Sequence, residues 1–362
     1  MEILNLRLTN FRNFSKLFLA FDRKLTAIVG FNGAGKSNIL EAVGMLGAVR
    51  PGRVETDLDL VKFDREEAKI EGEVRSGSEK SKLTINFQVV DETFLKKTYF
   101  INEIKKRWVD FGDCFSVVSF VPADLDLVVG SPSLRRHHLD VLLSGLDRDY
   151  WRAISAYHKV ITRRNKILVR ILERQSKPTE LDFWDERLLE HGAFVSKRRL
   201  EFFEFLNFVE PSFAKASEGK PTVLAATQKW MSDLSWGLKQ SILSAEKLAK
   251  NRERDIAAGV TLSGPHRDDF VFLHKGRNLE YFGSRGQQRM AVLALKLSEL
   301  EYFAVKRQAR PILALDDIFS ELDEEHREAV LDVVFKQQTI ITAADKQSLP
   351  EQIYQKAKII EI

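Results

Sequence analysis

Gly30-Phe31-Asn32-Gly33-Ala34-Gly35-Lys36-Ser37 has the spacing G-x-x-x-x-G-K-[ST], with which a loop can wrap the phosphates of a nucleotide. The apolar residues 25–29 before it predict a buried strand, and residues 38–43 after it predict a helix. Glycines in such a loop permit positive φ and a close approach of the backbone to anionic oxygens at the helix N-terminus. The loop and Asn38, which follows it, therefore predict a nucleotide-binding site.

The last two residues of this loop have separate chemical roles. We expect the Lys36 ammonium to reach the β- and γ-phosphates and the Ser37 hydroxyl to ligate Mg²⁺. The alternative, a glycine-rich turn before an ordinary helix, has no use for Lys-Ser at this spacing. A nucleotide bound with Mg²⁺ is the expected ligand.

A second apolar strand, at 311–315, ends in two carboxylates, Asp316 and Asp317. The carboxyl ends of the strands form the ligand-binding edge of a parallel α/β sheet. There Asp316 would hold Mg²⁺, through water, and Asp317 would orient or deprotonate the attacking water. Two carboxylates at a buried strand end are costly unless a cation compensates them, which argues against a purely structural role. Lys36, Asp316 and Asp317 are thus the predicted catalytic residues.

Three further features are weaker signals. Thr342 ends the strand at 339–343 and could sense the γ-phosphate, or simply end a strand. Arg12 and Asn13, in the turn of an N-terminal hairpin, could reach the nucleotide or be solvated, and Arg12 is the site candidate of the two. Ser284-Arg285-Gly286-Gln287 opens a long helix and could bind an anion at the positive end of the helix dipole, although a simple N-cap is the better interpretation of an isolated copy.

The patterns along the chain predict an α/β fold in two parts. Alternating apolar residues at 1–21 and 68–102 predict an antiparallel sheet beside the phosphate loop. At 131–250 the apolar residues recur mostly with the spacing of a helix, which predicts a largely helical region. Strands return at 259, with a hairpin predicted between 270–273 and 279–282. We expect an ATPase lobe at 1–125 and 285–362 and an inserted, largely helical lobe at 126–284.

Two features of the inserted lobe allow alternative interpretations. Its basic clusters could track DNA phosphates or be solvated helix faces; the candidate DNA-binding residues are Arg135, Arg136, Arg163, Arg164 and Lys166. His266, Asp268 and Asp269 could be metal ligands, but Arg267 among them favours a salt-bridged corner.

Composition narrows the class of protein. The chain has 362 residues, of which 44% are hydrophobic, enough for two or three lobes with sizeable cores. A formal charge of +4 permits nucleic-acid binding without proving it. The single cysteine, Cys114, excludes an intramolecular disulfide and suits a reducing compartment. With no apolar run of membrane-spanning length and an alternating N-terminal pattern rather than a signal, we expect a cytoplasmic protein.

The order of these motifs resembles the RecF family of bacterial DNA replication and repair proteins, in the SMC-like branch of the ATP-binding-cassette (ABC) ATPases. The resemblance covers the whole chain and is most specific at Gly264-Pro265-His266-Arg267-Asp268-Asp269 and at Asp316-Asp317. It implies an SMC-like head with an antiparallel β subdomain, binding ATP with Mg²⁺. It also implies ATP-dependent homodimerisation, in which Ser284, Gly286, Gln287 and Asp323 of one subunit complete the nucleotide site of the other.

The same resemblance implies function in replication, recombinational repair and SOS induction. Single-stranded, double-stranded and gapped DNA are the implied ligands, and RecR, with RecO, the implied partners in loading RecA at gaps. Arg285 replaces the second signature glycine, and Asp317 is one methylene shorter than the Glu of transporters. We therefore expect a weak, slow ATPase.

Three other classes of protein are alternatives to a RecF-like ATPase. A transporter ATPase subunit would have its signature much closer to the phosphate loop, without a basic helical lobe of this size. A long SMC-type or double-strand-break-repair ATPase would need hundreds of residues of coiled coil. A clamp that does not hydrolyse ATP would dimerise regardless of nucleotide.

Overall fold

The computed structural model describes residues 1–47, 57–208, 233–322 and 324–362, which belong to two compact units. The first unit includes Met1–Leu125 and Ser284–Ile362, and the second includes Asp126–Phe208 and Leu234–Gly283. Both units contain helices and strands.

The strands are β1 (Glu2–Phe11), β2 (Phe14–Ala20), β3 (Leu25–Val29), β4 (Glu67–Ser76), β5 (Glu79–Val89), β6 (Leu95–Ile101), β7 (Ile104–Lys106), β8 (Val117–Phe120), β9 (Leu234–Lys239), β10 (Asp269–His274), β11 (Arg277–Asn278), β12 (Ile312–Asp316), β13 (Thr339–Ala343) and β14 (Lys358–Glu361). The helices are α1 (Lys36–Leu46), α2 (Trp108–Gly112), α3 (Asp126–Val129), α4 (Pro132–Leu146), α5 (Arg148–Leu172), α6 (Leu181–Phe208), α7 (Ala245–Ala258), α8 (Leu279–Phe282), α9 (Arg285–Arg307), α10 (Ile318–Glu321), α11 (Glu324–Val334) and α12 (Glu351–Lys356).

The first unit contains a parallel sheet whose strand order is β14-β3-β13-β12-β8. Strands β3, β12 and β13 are buried along their whole length, as expected of continuous apolar runs covered on both faces. Because the strands are parallel, the phosphate loop after β3 and the carboxylates at the end of β12 lie at the same edge of the sheet. The predicted α/β fold is confirmed.

An antiparallel sheet with the order β2-β1-β4-β5-β6-β7 forms the other half of the first unit. Its inner face shares one hydrophobic core with α1 and with the parallel sheet; the core includes Ile3, Leu8, Ile28, Ile39, Val43, Ile70, Ile85 and Ile340. The antiparallel sheet that the alternating pattern predicts is therefore confirmed, and it packs against the helix that follows the phosphate loop.

The second unit is built on the long helices α5 and α6, which pack together, and on a small sheet with the order β11-β10-β9. The predicted hairpin is wrong in its second strand, because residues 279–282 form α8 instead. The Asn278 side chain accepts a hydrogen bond from the Glu280 N–H (3.0 Å) and caps that helix. The long partner of β10 is β9, which lies in a region whose period indicates helix.

Candidate nucleotide site

The phosphate loop joins β3 to α1 in a conformation that needs its glycines. Gly33 and Gly35 have φ of 91° and 106°, a region that side chains rarely adopt. A Cβ on Gly35 would also lie 2.6 Å from Asn13 Nδ2 and from Phe14 Cζ. The loop is thus packed against the β1–β2 turn, which leaves no room for a side chain at Gly35.

Lys36 opens α1 and is 8% exposed. Its ammonium donates hydrogen bonds to the carbonyl oxygens of Gly30 (2.5 Å) and Phe31 (3.0 Å), so the side chain folds back over the loop. Phe31, Asn32, Gly33 and Ser37 are exposed. The Lys36 ammonium beside this exposed loop provides the positive charge that a phosphate group requires.

Asn13 braces the loop, a role that the sequence did not suggest. Its side-chain Nδ2 donates to the Ala34 carbonyl (3.1 Å), and its Oδ1 accepts from Asn38 Nδ2 (2.9 Å). These bonds join the β1–β2 turn to both the loop and the first turn of α1. The one feature of the sequence that could have indicated this role is the position of Asn13 beside Arg12 in that turn.

Arg12 lies at the same turn and makes a two-pronged ion pair with Glu41 on α1, at 2.9 and 2.8 Å. Its Nη1 also donates to the Asp59 carbonyl (3.1 Å). The guanidinium therefore anchors the turn to the helix behind the loop. Contact of Arg12 with a nucleotide stays a prediction.

Thr342 contacts the Asp316 carboxylate and the backbone of Asp317. Its hydroxyl donates to Asp316 Oδ1 (2.7 Å) and accepts from the Asp317 N–H (3.0 Å), because Asp316 and Thr342 are paired in the register of β12 and β13. Asp316 is 4% exposed, and Asp317 has a φ of 50° where the chain turns into α10. The Gly30 N–H donates to the Ala343 carbonyl (3.3 Å), which ties the loop to the same edge.

The structure thus brings the phosphate loop, Asp316, Asp317 and Thr342 together at the carboxyl edge of adjacent strands. A hydroxyl at Ser37 and a carboxylate at Asp316 are oxygen ligands of the kind that Mg²⁺ prefers. Among the described residues, no cluster of three His, Cys, Asp or Glu could hold a metal ion. The donors fit an ion that takes its remaining ligands from phosphate oxygens and water.

The Ser-x-Gly-Gln segment forms the N-terminus of α9. The Ser284 hydroxyl accepts from the Gln287 N–H (3.3 Å), and the Gln287 side chain accepts from the Ser284 N–H (3.0 Å), which completes a capping box. Ser284 and Gly286 are exposed. Asp323, the fourth residue of the predicted partner-facing set, lies outside the described residues.

A buried ion-pair set fixes α9 against the segment that follows β8. Lys296 lies 3.4 Å from Asp124 and 3.5 Å from Glu299, and its side chain is 6% exposed. Burial opposes the charge on Lys296, but the effect of the two carboxylates is larger, and together they raise the pKa of the ammonium.

A cavity of about 120 Å³ lies near these ion pairs and reaches Asp316. Its lining is Phe120, Pro122, Leu125, Arg289, Val292, Asp316, Ile318 and Leu322.

The structure corrects two of the candidate DNA-binding residues. Arg135 is 3% exposed and pairs with Asp269 at 2.7 Å, and Arg164 is fully buried between Asp185 and Asp255 at 2.7 and 2.8 Å. Both guanidinium groups stabilise the interior of the second unit and cannot reach DNA phosphates. Of the other three candidates, Arg163 and Lys166 are exposed, and Arg136 is partly buried with a bond to the Asp268 carbonyl (2.9 Å).

The salt-bridged interpretation of the corner at 264–269 is confirmed, although Arg267 is not its cation. Asp268, which is fully buried, pairs with Arg199 at 2.8 Å, and Asp269 pairs with Arg135. His266 accepts at Nδ1 from the Tyr157 hydroxyl (2.7 Å) and donates from Nε2 to the Thr261 carbonyl (3.0 Å). Burial lowers the pKa of His266 to about 4, so it is neutral at pH 7.

A phosphate loop, a strand ending in paired carboxylates and a Ser-x-Gly-Gln helix start, on a parallel sheet flanked by an antiparallel one, define an ABC-type P-loop ATPase. No helix in the described ranges is long and apolar enough to cross a membrane.

The chain belongs to the RecF/RecN/SMC N-terminal domain family, whose model matches residues 2–360. It is 35% identical over 364 residues to the DNA replication and repair protein RecF of Moorella thermoacetica, covering 100% of this chain and 95% of that protein. It is 33% identical to RecF of Bacillus cytotoxicus, covering 100% and 97%. The resemblance to the RecF family is therefore confirmed.

Solved structures of RecF proteins and of an SMC head domain are similar to this chain. The recombination mediator protein RecF-ATPrS in the RecFOR pathway superposes with a TM-score of 0.83 at 29% identity, covering 100% of this chain and 96% of that one. The corresponding RecF-ATP structure gives 0.83 at 30% identity, covering 96% and 93%. An SMC head domain from Pyrococcus furiosus shares the fold, with a TM-score of 0.51 at 15% identity, covering 99% and 92%.

Proposed function

We propose that this chain is an ATP-dependent DNA-binding protein of replication and recombinational repair, which dimerises on ATP and hydrolyses it slowly. The observation that carries the proposal is the Asp316–Thr342–Asp317 arrangement beside the phosphate loop, on a chain similar to RecF proteins over its full length. A transporter subunit or a long SMC protein does not account for that full-length similarity.

In the proposed site, the loop residues and Lys36 bind the phosphates of ATP. Ser37 and Asp316 would hold Mg²⁺, which would neutralise charge on the phosphate oxygens. Thr342 orients the Asp316 carboxylate through a 2.7 Å hydrogen bond and fixes the backbone of Asp317. Asp317 then orients the attacking water as a general base.

The dimer is proposed from the exposure of the α9 tip. Ser284 and Gly286 are exposed at the positive end of a 23-residue helix, where they could meet the γ-phosphate of ATP held by a second subunit. Gln287 and Asp323 would complete this partner-facing set. Two ATP molecules would then be enclosed between two subunits, and hydrolysis would release the dimer from DNA.

DNA with single-stranded gaps is the proposed substrate for this dimer. RecR and RecO are the proposed partners, and RecA loading in the cytoplasm, with SOS induction as its consequence, is the proposed outcome. These finer assignments follow from membership of the RecF/RecN/SMC family and from similarity to proteins of the RecFOR pathway.

Single-turnover ATP hydrolysis with and without gapped DNA tests the proposal. We expect slow hydrolysis that DNA accelerates, and its loss in Lys36→Ala, which removes the phosphate-binding cation. Lys306→Ala, at the far end of α9, is the control and should hydrolyse ATP as the unaltered chain does. A fast rate that does not respond to DNA would contradict the proposal.

A further inference from the structure

The antiparallel sheet of the first unit has one face on the core and one face outward. Along β1, Leu6 and Leu8 are buried, whereas Arg7 between them is exposed, and β2 and β4 carry the same kind of alternation. On β5 the alternation holds from Ile85 to Gln88, whereas Thr84 is 8% exposed. Since successive side chains of a strand point to opposite faces, every second residue lies on the outward face. The register then identifies which outward side chains are neighbours.

One row of neighbours crosses all six strands. The pairings place Phe18, Arg7, Glu71, Thr84, Phe100 and Lys105 side by side on β2, β1, β4, β5, β6 and β7. At a strand spacing of about 4.8 Å, the row is roughly 24 Å long. Phe18 is 57% exposed, with the Arg7 guanidinium 5.5 Å from its ring centroid, and Phe100 is partly exposed.

Cations outnumber carboxylates on this part of the face. The cationic side chains are Arg7, Lys16, Lys69, Lys82, Lys96 and Lys105, against Glu67, Glu71, Glu73 and Glu103, the last of which lies 3.9 Å from Lys82. The central carboxylate, Glu71, is already compensated by Lys69 at 3.0 Å and Lys82 at 3.3 Å. In the ranges that the structure covers, no ion pair holds Lys16, Lys96 or Lys105, whose charges remain available to a polyanion.

We propose that this outward face binds single-stranded DNA, with bases stacked on Phe18 and Phe100 and phosphates held by the surrounding cations. The inference rests on the proposed function and names a surface for it. One exposed and one partly exposed aromatic ring on a basic surface suit single strands, because unpaired bases can stack, whereas duplex DNA keeps its bases inside. The alternative DNA-binding surface is the basic helices of the second unit. It has fewer available cations than the sequence suggested, because Arg135 and Arg164 are buried.

The first arm of the test removes the aromatic rings and keeps an apolar side chain at each position. In fluorescence anisotropy with the full chain, Phe18→Leu and Phe100→Leu should each weaken binding of labelled oligo(dT) roughly tenfold. Binding of a duplex of equal length should change less than twofold. Tyr354→Leu, which alters an aromatic residue 47% exposed on α12, is the matched control and should leave oligo(dT) binding unchanged.

The second arm removes charge. Lys96→Gln and Lys105→Gln should weaken oligo(dT) binding and lower the slope of log K against log salt by about 0.7 each. The phenylalanine variants should leave that slope unchanged, because they remove no phosphate contact. Lys306→Gln, at an exposed lysine of α9, is the charge control.

The outcomes separate this inference from the proposed function. If the sheet variants bind oligo(dT) normally while Arg163→Gln and Lys166→Gln do not, the surface is wrong and the DNA-binding function stands. Equal loss of duplex and oligo(dT) binding in the phenylalanine variants would overturn the stacking. If the unaltered chain binds neither DNA, the proposed function itself fails. Unchanged ATP binding in each variant shows that the first unit has folded.

Discussion

Thr342 is the residue on which the geometry of the catalytic edge depends most directly. One hydroxyl group donates to the Asp316 carboxylate and accepts from the Asp317 N–H, so it sets the position of two groups with different proposed tasks. As a residue 1% exposed, it has no water to replace either bond if the hydroxyl is removed. We therefore expect Thr342 to position the Asp316 carboxylate and the Asp317 backbone, and its contact with the γ-phosphate stays a prediction.

Thr342→Val keeps the shape of the side chain and removes the hydroxyl. We expect single-turnover ATP hydrolysis to fall about tenfold or more, because losing one hydrogen bond worth about 1.4 kcal/mol at the transition state has that effect. ATP affinity should change by less than about threefold, since Lys36 and the loop remain. Thr342→Ser, which restores the hydroxyl, should recover most of the rate. Equal rates in Thr342→Val and the unaltered chain would refute the positioning role.

His266 shows how a single residue couples stability to pH. Its pKa is about 4 because burial disfavours the charged imidazole, whereas an exposed histidine titrates near 6.5. Below pH 6.5 the unfolded chain therefore binds a proton that the folded chain does not. The stability that the neutral His266 contributes is fully present above pH 6.5 and is lost as the pH falls toward 4.

Between pH 7 and pH 5 we expect His266 to account for a loss of about 2 kcal/mol in the free energy of unfolding. Urea unfolding of the unaltered chain and of His266→Gln at both pH values measures this contribution. The variant should be less stable at pH 7 but should lose less stability on acidification. If both chains lose the same amount, His266 is not the group responsible.

Among the elements, α9 connects the most features of the site. Its N-terminus carries Ser284 in a capping box, its second turn lines the cavity beside Asp316, and its third turn carries Lys296. The ion pairs of Lys296 with Asp124 and Glu299 hold the helix against the segment after β8. The direction of the α9 tip is therefore fixed by charges buried within the first unit.

Lys296→Met should lower the free energy of unfolding by about 3–5 kcal/mol, because it removes the cation that pairs with the buried Glu299 and the partly buried Asp124. Lys296→Arg, which keeps the charge, should lose much less. Lys306→Met, at an exposed lysine over the Tyr302 ring on the same helix, is the matched control and should cost about 1 kcal/mol or less. A loss below 1 kcal/mol in Lys296→Met would show that the buried pairs are not important for stability.

The elements also show what could be predicted from the sequence. The phosphate loop, β12 with its carboxylates and the start of α9 depend on local signals, and the structure places an element of the expected type at each. Arg135 and Arg164 were misassigned because their partners, Asp269 and Asp255, are far away in sequence and no local pattern indicates them. The helical start at α8 was missed because the Asn278 cap competes with a strand of similar apolar content.

For the whole molecule, the two faces of the first unit have distinct proposed tasks. The carboxyl edge of the parallel sheet, with Lys36 and Asp316, would hold ATP, and the exposed tip of α9 would meet the ATP of a second copy. The outward face of the antiparallel sheet would hold single-stranded DNA. A monomer would have one such DNA-binding face, and the ATP-bound dimer would have two. ATP binding would therefore control how many of these faces act together.

Sedimentation velocity of the full chain with and without ATP and Mg²⁺ measures the assembly directly. We expect a monomer without nucleotide and a dimer at saturating ATP and Mg²⁺, with Lys36→Ala remaining monomeric in both conditions. A monomer at saturating ATP and Mg²⁺, or a dimer that forms equally well without nucleotide, would contradict the assembly proposed for this protein.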